Sequence, residues 1–139
     1  MRRVARSYLM VVSVLNGLAG LICGVLLIAA PDGHFLQAGA LRLVIATLPL
    51  ATVFFRDFLW IGVAMLLVLG LPNLVAAVML LRSSPTQYVV SLAAAILLLL
   101  WTGFETVFMF NVAAVGYFVM GVLSALCSVS LLRLAPDGA

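Results

Sequence analysis

Four apolar stretches, Tyr8–Ala30, Phe58–Leu81, Tyr88–Phe110 and Val112–Leu132, take up most of the 139-residue chain. Each is close to the ~20 residues that a helix needs to cross a hydrocarbon core about 30 Å thick. Within each stretch, small or polar residues recur at helical spacing. They are Ser13, Asn16, Gly17, Gly20 and Gly24 in the first, and Gly62, Asn73 and Ala77 in the second, where Gly70 lies nearby and Pro72 adds a kink. The third carries Ser91, Ala95, Thr102 and Glu105, and the fourth Gly121, Ser124 and Ser128. Lipid exerts no hydrophobic push between helices, so residues small enough for close backbone approach form the interfaces. The pattern predicts an all-α fold: an integral membrane four-helix bundle with its small stripes inward, one transmembrane domain over residues 1–139.

The connections predict the topology. Arg82–Gln87 joins spans two and three, and Asn111 marks a very short turn between three and four. Helices joined this closely are antiparallel neighbours, which gives an up-down-up-down course. The longest stretch outside the spans is Pro31–Asp57, and its part Leu43–Phe55 is itself apolar. These thirteen residues lie between Arg42 and Arg56 and contain Pro49. They are short for a crossing, so a short extracytoplasmic segment, interfacial or re-entrant, is expected there rather than a fifth span. Gln37, Arg42, Thr47 and Thr52 recur every five positions, which gathers them on no single helix face.

Composition agrees with lipid as the solvent: 67% of residues are hydrophobic, 8% are charged, and the mean hydropathy is +1.38. Seven Arg and four acids cannot wet the surface of a water-soluble domain of this length. The pI near 9.4 is no nucleic-acid signal, because the arginines stand at span ends, where they anchor beside anionic headgroups. The chain has no Lys, so orientation rests on Arg. Placing both termini in the cytoplasm puts Arg2, Arg3, Arg6, Arg82 and Arg133 inside, against Arg42 and Arg56 outside, as the positive-inside rule requires. A fifth crossing would move Arg82 outside. The N-terminus has the outline of a signal peptide, basic then apolar then Ala29-Ala30. Its apolar run is too long for that and Pro31 follows directly, so a retained first span is expected. The expected location is a multi-pass protein of the bacterial cytoplasmic membrane.

Few residues offer chemistry. Glu105 is the only acid within a span, about 25 Å above Tyr88, in the outer third. Arg56 and Asp57 fall at nearly the same depth. Three readings stay open: a structural pair with Arg56, a proton- or cation-coupling site, or a carboxylate in interfacial water. Asn16 and Asn73 each lie about 12 Å from the cytoplasmic end of their spans. If spans one and two pack together, their amides can clamp the two helices, or line a polar pocket. Cys23 and Cys127 fall about 22 and about 9 Å above that end, too far apart for a disulfide, and are read as packing residues. His34 sits in Pro31-Asp32-Gly33-His34, which reads as a turn; with Asp32 it makes two ligands where a metal site wants three or four. No metal or cofactor is expected.

The ends of spans two and four share a pattern, Val78-Met79-Leu80-Leu81-Arg82 and Val129-Ser130-Leu131-Leu132-Arg133, each with a Pro three residues on. Two hairpins repeated in parallel would produce it, and so would two spans leaving the membrane in the same way.

The stretch Phe54-Phe55-Arg56-Asp57-Phe58-Leu59-Trp60-Ile61-Gly62, followed by Gly70-Leu71-Pro72-Asn73-Leu74-Val75-Ala76-Ala77, resembles a group of small, uncharacterised four-span bacterial membrane proteins. Phe54 and Ile61 stand where that pattern has Pro, and Val112–Tyr117 lacks the Trp-Leu-Gln-Pro that often opens its fourth span. The resemblance implies a four-helix bundle with an outer segment before span two, and no known activity.

Three functions are then in play. The first is a non-enzymatic membrane component that packs against itself, a membrane-protein partner or lipid. The second is a minimal coupled transporter using Glu105, similar in size to the small multidrug resistance proteins, whose key acid lies deep in span one. The third is an intramembrane enzyme, for which no nucleophile, base and metal set is apparent.

Overall fold

The computed structural model describes residues 2–40, 43, 45–46, 56–108 and 112–134, and among them all regular structure is helical. The long helices are α1 (Arg2–Ala29), α2 (Leu59–Leu81), α3 (Gln87–Phe108) and α4 (Val112–Leu134). All four are long and apolar enough to cross a membrane, which fits a multi-pass membrane protein. The bounds match the apolar stretches closely, except that α1 begins well before Tyr8. Nothing between Arg2 and Tyr8 breaks a helix, and Arg and Ala favour one. Asn111 and most of Leu43–Phe55 lie outside the described residues.

α2 is not uniform. Its middle, Met65–Gly70, is a π-helical segment in which the Leu71 N–H reaches back to the Leu66 carbonyl. The cause follows two residues later. Pro72 has no N–H, and in an α-helix its ring would collide with the Val68 carbonyl. The wider turn before it removes that collision and lets the helix run on to Leu81, so the expected kink takes the form of a π turn.

The helices form a ring: α1 packs on α2 and α4, and α3 packs on α2 and α4. Contacts run in opposite directions along α1 and α2. Gly17, Gly20 and Gly24 of α1 meet Leu74, Gly70 and Gly62 of α2 in that order. The small stripes do face inward. Ser13, Asn16, Gly17, Gly20 and Gly24 are buried, as are Gly62, Gly70, Asn73 and Ala77, then Ser91, Ala95 and Thr102, then Gly121, Ser124 and Ser128. The outer faces carry large apolar side chains: Leu15, Leu100 and Leu126 are 61%, 68% and 59% exposed. Small and polar inside with aliphatic outside is the arrangement that lipid selects.

Each end of the bundle has its own apolar cluster. Leu9, Leu80 and Leu131 join α1, α2 and α4 at the arginine end. Leu27, Ile45 and Phe58 form the cluster at the other, with Phe104 of α3 packed against them. Ile45 is 1% exposed although Leu43 is 80% exposed, so Ile45 packs into the cluster with Leu27 and Phe58. The Pro-Asp-Gly turn forms where expected. Gly33 has φ +76°, the Phe58 N–H donates to the Pro31 carbonyl at 2.9 Å, and the Phe58 ring lies where a Gly33 side chain would be.

Candidate functional site

The polar residues fall into three groups: one inside the bundle and one at each end. Inside, hydroxyls turn back on their own helices. Ser91 donates to Gln87 O, Thr102 to Leu98 O and Ser128 to Ser124 O, each at 2.8 Å. This i to i−4 bonding satisfies a hydroxyl where water is absent. The Ser124 hydroxyl, itself buried, has no partner among the described residues.

The two asparagines are buried, 3% exposed for Asn16 and 5% for Asn73, and helices α1 and α2 do pack together. Their amides nevertheless do not bond to each other. Asn73 Nδ2 donates to the Leu69 carbonyl at 2.9 Å, within its own helix. Asn16 Nδ2 points across to α4 and contacts Met120 Sδ at 3.7 Å. The expected clamp is therefore corrected. A backbone carbonyl of the π segment lies one turn from Asn73 and takes its amide donor. Close approach of α1 and α2 is carried by glycine instead.

At the end holding Phe58 and Phe104, the expected Glu105–Arg56 pair is also corrected. Arg56 is exposed, Glu105 is half-buried in the last turn of α3, and no ion pair joins them. Phe104 packs against the cluster that holds Phe58. Trp101 lies one turn earlier on α3. Phe104 stacks at a tilt between Trp101 and Phe108, with centroids 6.1 and 4.8 Å away. Asp57 starts α2: its carboxylate accepts the Leu59 N–H at 3.0 Å. Asp32 accepts from the His34 backbone at 3.2 Å, and its Oδ1 lies 2.6 Å from His34 Nδ1, both side chains being exposed. Among the described residues no three His, Cys, Asp or Glu side chains converge. Cys23 and Cys127 are free thiols.

The opposite end gathers Arg2, Arg3, Arg6, Arg82 and Arg133 with no acid among the described residues. Two of these arginines do more than anchor. Arg6 donates at 2.7 Å to the Leu80 carbonyl and at 2.7 Å to the Ser83 hydroxyl. Arg2 donates at 2.6 Å to the Leu134 carbonyl. A cation at a helix C-terminus meets the negative end of the dipole and covers carbonyls that lack an intrahelical donor. The end of α2 completes its own closure: Ser84 N–H bonds Met79 O, Ser83 N–H bonds Leu80 O, and Ser83 has φ 51°. That is a Schellman motif with serine where glycine is usual. Sequence reasoning took these arginines as topology markers and headgroup anchors, and missed their bonds to helix ends. The available signal was Ser83-Ser84-Pro85 directly after Arg82, a stop that leaves carbonyls to cover.

Comparison of the chain with protein-family models, curated proteins and solved structures finds no match.

Proposed function

We propose that this protein is a non-enzymatic membrane component that acts through helix packing with itself, a membrane-protein partner or lipid. The observation that carries this reading is how its interior polar groups are used. Asn73, Ser91, Thr102 and Ser128 bond to the backbone of their own helices, which serves helix packing and leaves little to bind or transform a solute. The chain takes an up-down-up-down course with both termini and the five-arginine end in the cytoplasm, in keeping with the positive-inside rule. The segment before α2 lies at the outer face, interfacial or re-entrant, and the burial of Ile45 beside Leu27 and Phe58 supports it. A bacterial cytoplasmic membrane, and kinship with the small four-span group that Phe54–Gly62 resembles, belong to the same reading.

One observation favours the coupled-transporter alternative: Glu105 is half-buried with no cation beside it among the described residues. In-membrane cross-linking followed by purification separates the two. The packing reading expects a defined homo-oligomer or partner that persists in Glu105→Gln. Proton-driven solute uptake into vesicles, lost in Glu105→Gln while the fold is kept, would overturn it.

A further inference from the structure

A groove of about 550 Å³ runs between α1 and α4 at the arginine end. Ala5 and Tyr8 form one wall, Leu123, Cys127 and Leu131 the other, and Arg2 stands at its mouth. Along α4 it extends from Leu134 in to Leu123. At 1.5 Å per residue that is about 16 Å, one leaflet of a core about 30 Å thick. The Tyr8 hydroxyl donates to the Met120 carbonyl at 3.3 Å and closes the deep end. The groove is therefore apolar along its length, one leaflet deep, and open sideways to the bilayer.

The described charged residues at the mouth are cationic. Arg2 commits a donor to Leu134 O, but a guanidinium carries five N–H groups. Arg133 is exposed, lies one turn beyond the groove-lining Ser130 on α4, and bonds to no described residue. No acid among the described residues offsets either charge. A second copy inserted the same way would bring like charge against like, whereas a phosphodiester headgroup would neutralise both.

We propose that this groove holds one acyl chain of an anionic phospholipid, its phosphate held by Arg2 and Arg133. The inference rests on the membrane reading above and names the lipid class that this end of the bundle selects. Native mass spectrometry of the whole protein in a mild mimetic, with phosphatidylglycerol and phosphatidylcholine of equal chain length supplied together, tests it. Wild type is expected to retain phosphatidylglycerol preferentially. Arg133→Gln should lower that preference roughly fivefold, the change that ~1 kcal/mol per basic residue at an anionic surface implies. Arg82→Gln, which leaves the groove untouched, should not. Cys127→Trp should abolish retention by filling the groove. Should that variant fail to fold, Cys127 labelling in a Cys23→Ala background replaces it: phosphatidylglycerol slows the reaction and phosphatidylcholine does not. Equal retention of both lipids, equal effects of Arg133→Gln and Arg82→Gln, or a dimer that the Cys127→Trp change dissociates would each overturn the lipid site and leave the membrane reading standing. Recovery of the protein in the aqueous phase, free of any bilayer, would overturn both.

Discussion

Gly20 of α1 and Gly70 of α2 meet backbone against backbone: a Cβ on Gly20 would strike the Gly70 nitrogen and stand 2.7 Å from the Leu69 Cβ. Neither helix can move aside without opening the rest of the seam, where a Cβ on Gly24 would lie 2.9 Å from the Gly62 carbonyl oxygen. Gly20→Ala should therefore destabilise the fold by about 1–3 kcal/mol through overpacking. Gly116→Ala is the control, since nothing lies within 4 Å of a Cβ there; it should be neutral or gain up to ~1 kcal/mol from helix propensity. Thermal midpoints in one detergent compare them, and equal midpoints would refute the backbone contact.

Arg6 ties the first turns of α1 to the end of α2. Replacing it with Gln removes a charged donor from the Leu80 carbonyl and Ser83 hydroxyl, at a cost of about 1–2 kcal/mol. Amide exchange at Ser83 and Ser84 should rise first, because that closure loses its outside support. Adding Ser83→Gly to Arg6→Gln should restore up to ~1 kcal/mol, since glycine adopts the positive φ without strain. A double variant less stable than Arg6→Gln alone would contradict this.

Glu105 is a carboxylate near the negative end of the α3 dipole with no cation beside it among the described residues. Glu105→Gln should leave stability unchanged or raise it by about 0.3–1 kcal/mol. In a double-mutant cycle with Arg56→Gln the coupling should be near zero. Coupling above ~0.5 kcal/mol would restore the ion pair.

Asn73 covers the Leu69 carbonyl inside the π segment, whereas Asn16 meets only a thioether. Asn73→Leu should thus cost about 1 kcal/mol and Asn16→Leu less, given how modest such bonds are within membranes. Their effects should add. A non-additive double variant would show the two amides bonding to each other after all.

How far the site was legible differs residue by residue. That Gly17, Gly20, Gly24, Gly62 and Gly121 face inward followed from spacing alone, because a 3.6-residue period carries face information without reference to a partner. Depth was read in the same way, and it put Asn16 level with Asn73 and Glu105 level with Arg56. Depth does not give azimuth. Asn16 turns to α4 while Asn73 turns to its own backbone, and Glu105 and Arg56 form no ion pair at the end where Phe104 packs on Phe58.

By itself the sequence determined the apolar character, the number of long helices, their bounds apart from the start of α1, and their inward stripes. Each of these depends on local hydropathy and helical periodicity, which are properties of one segment at a time. Only the tertiary structure decided the partners: Arg6 on Leu80, Arg2 on Leu134, Ile45 between Leu27 and Phe58, and glycine rather than asparagine at the α1–α2 seam. A side chain's partner depends on the rotation of two helices about their own axes, and that rotation is set by packing over the whole bundle.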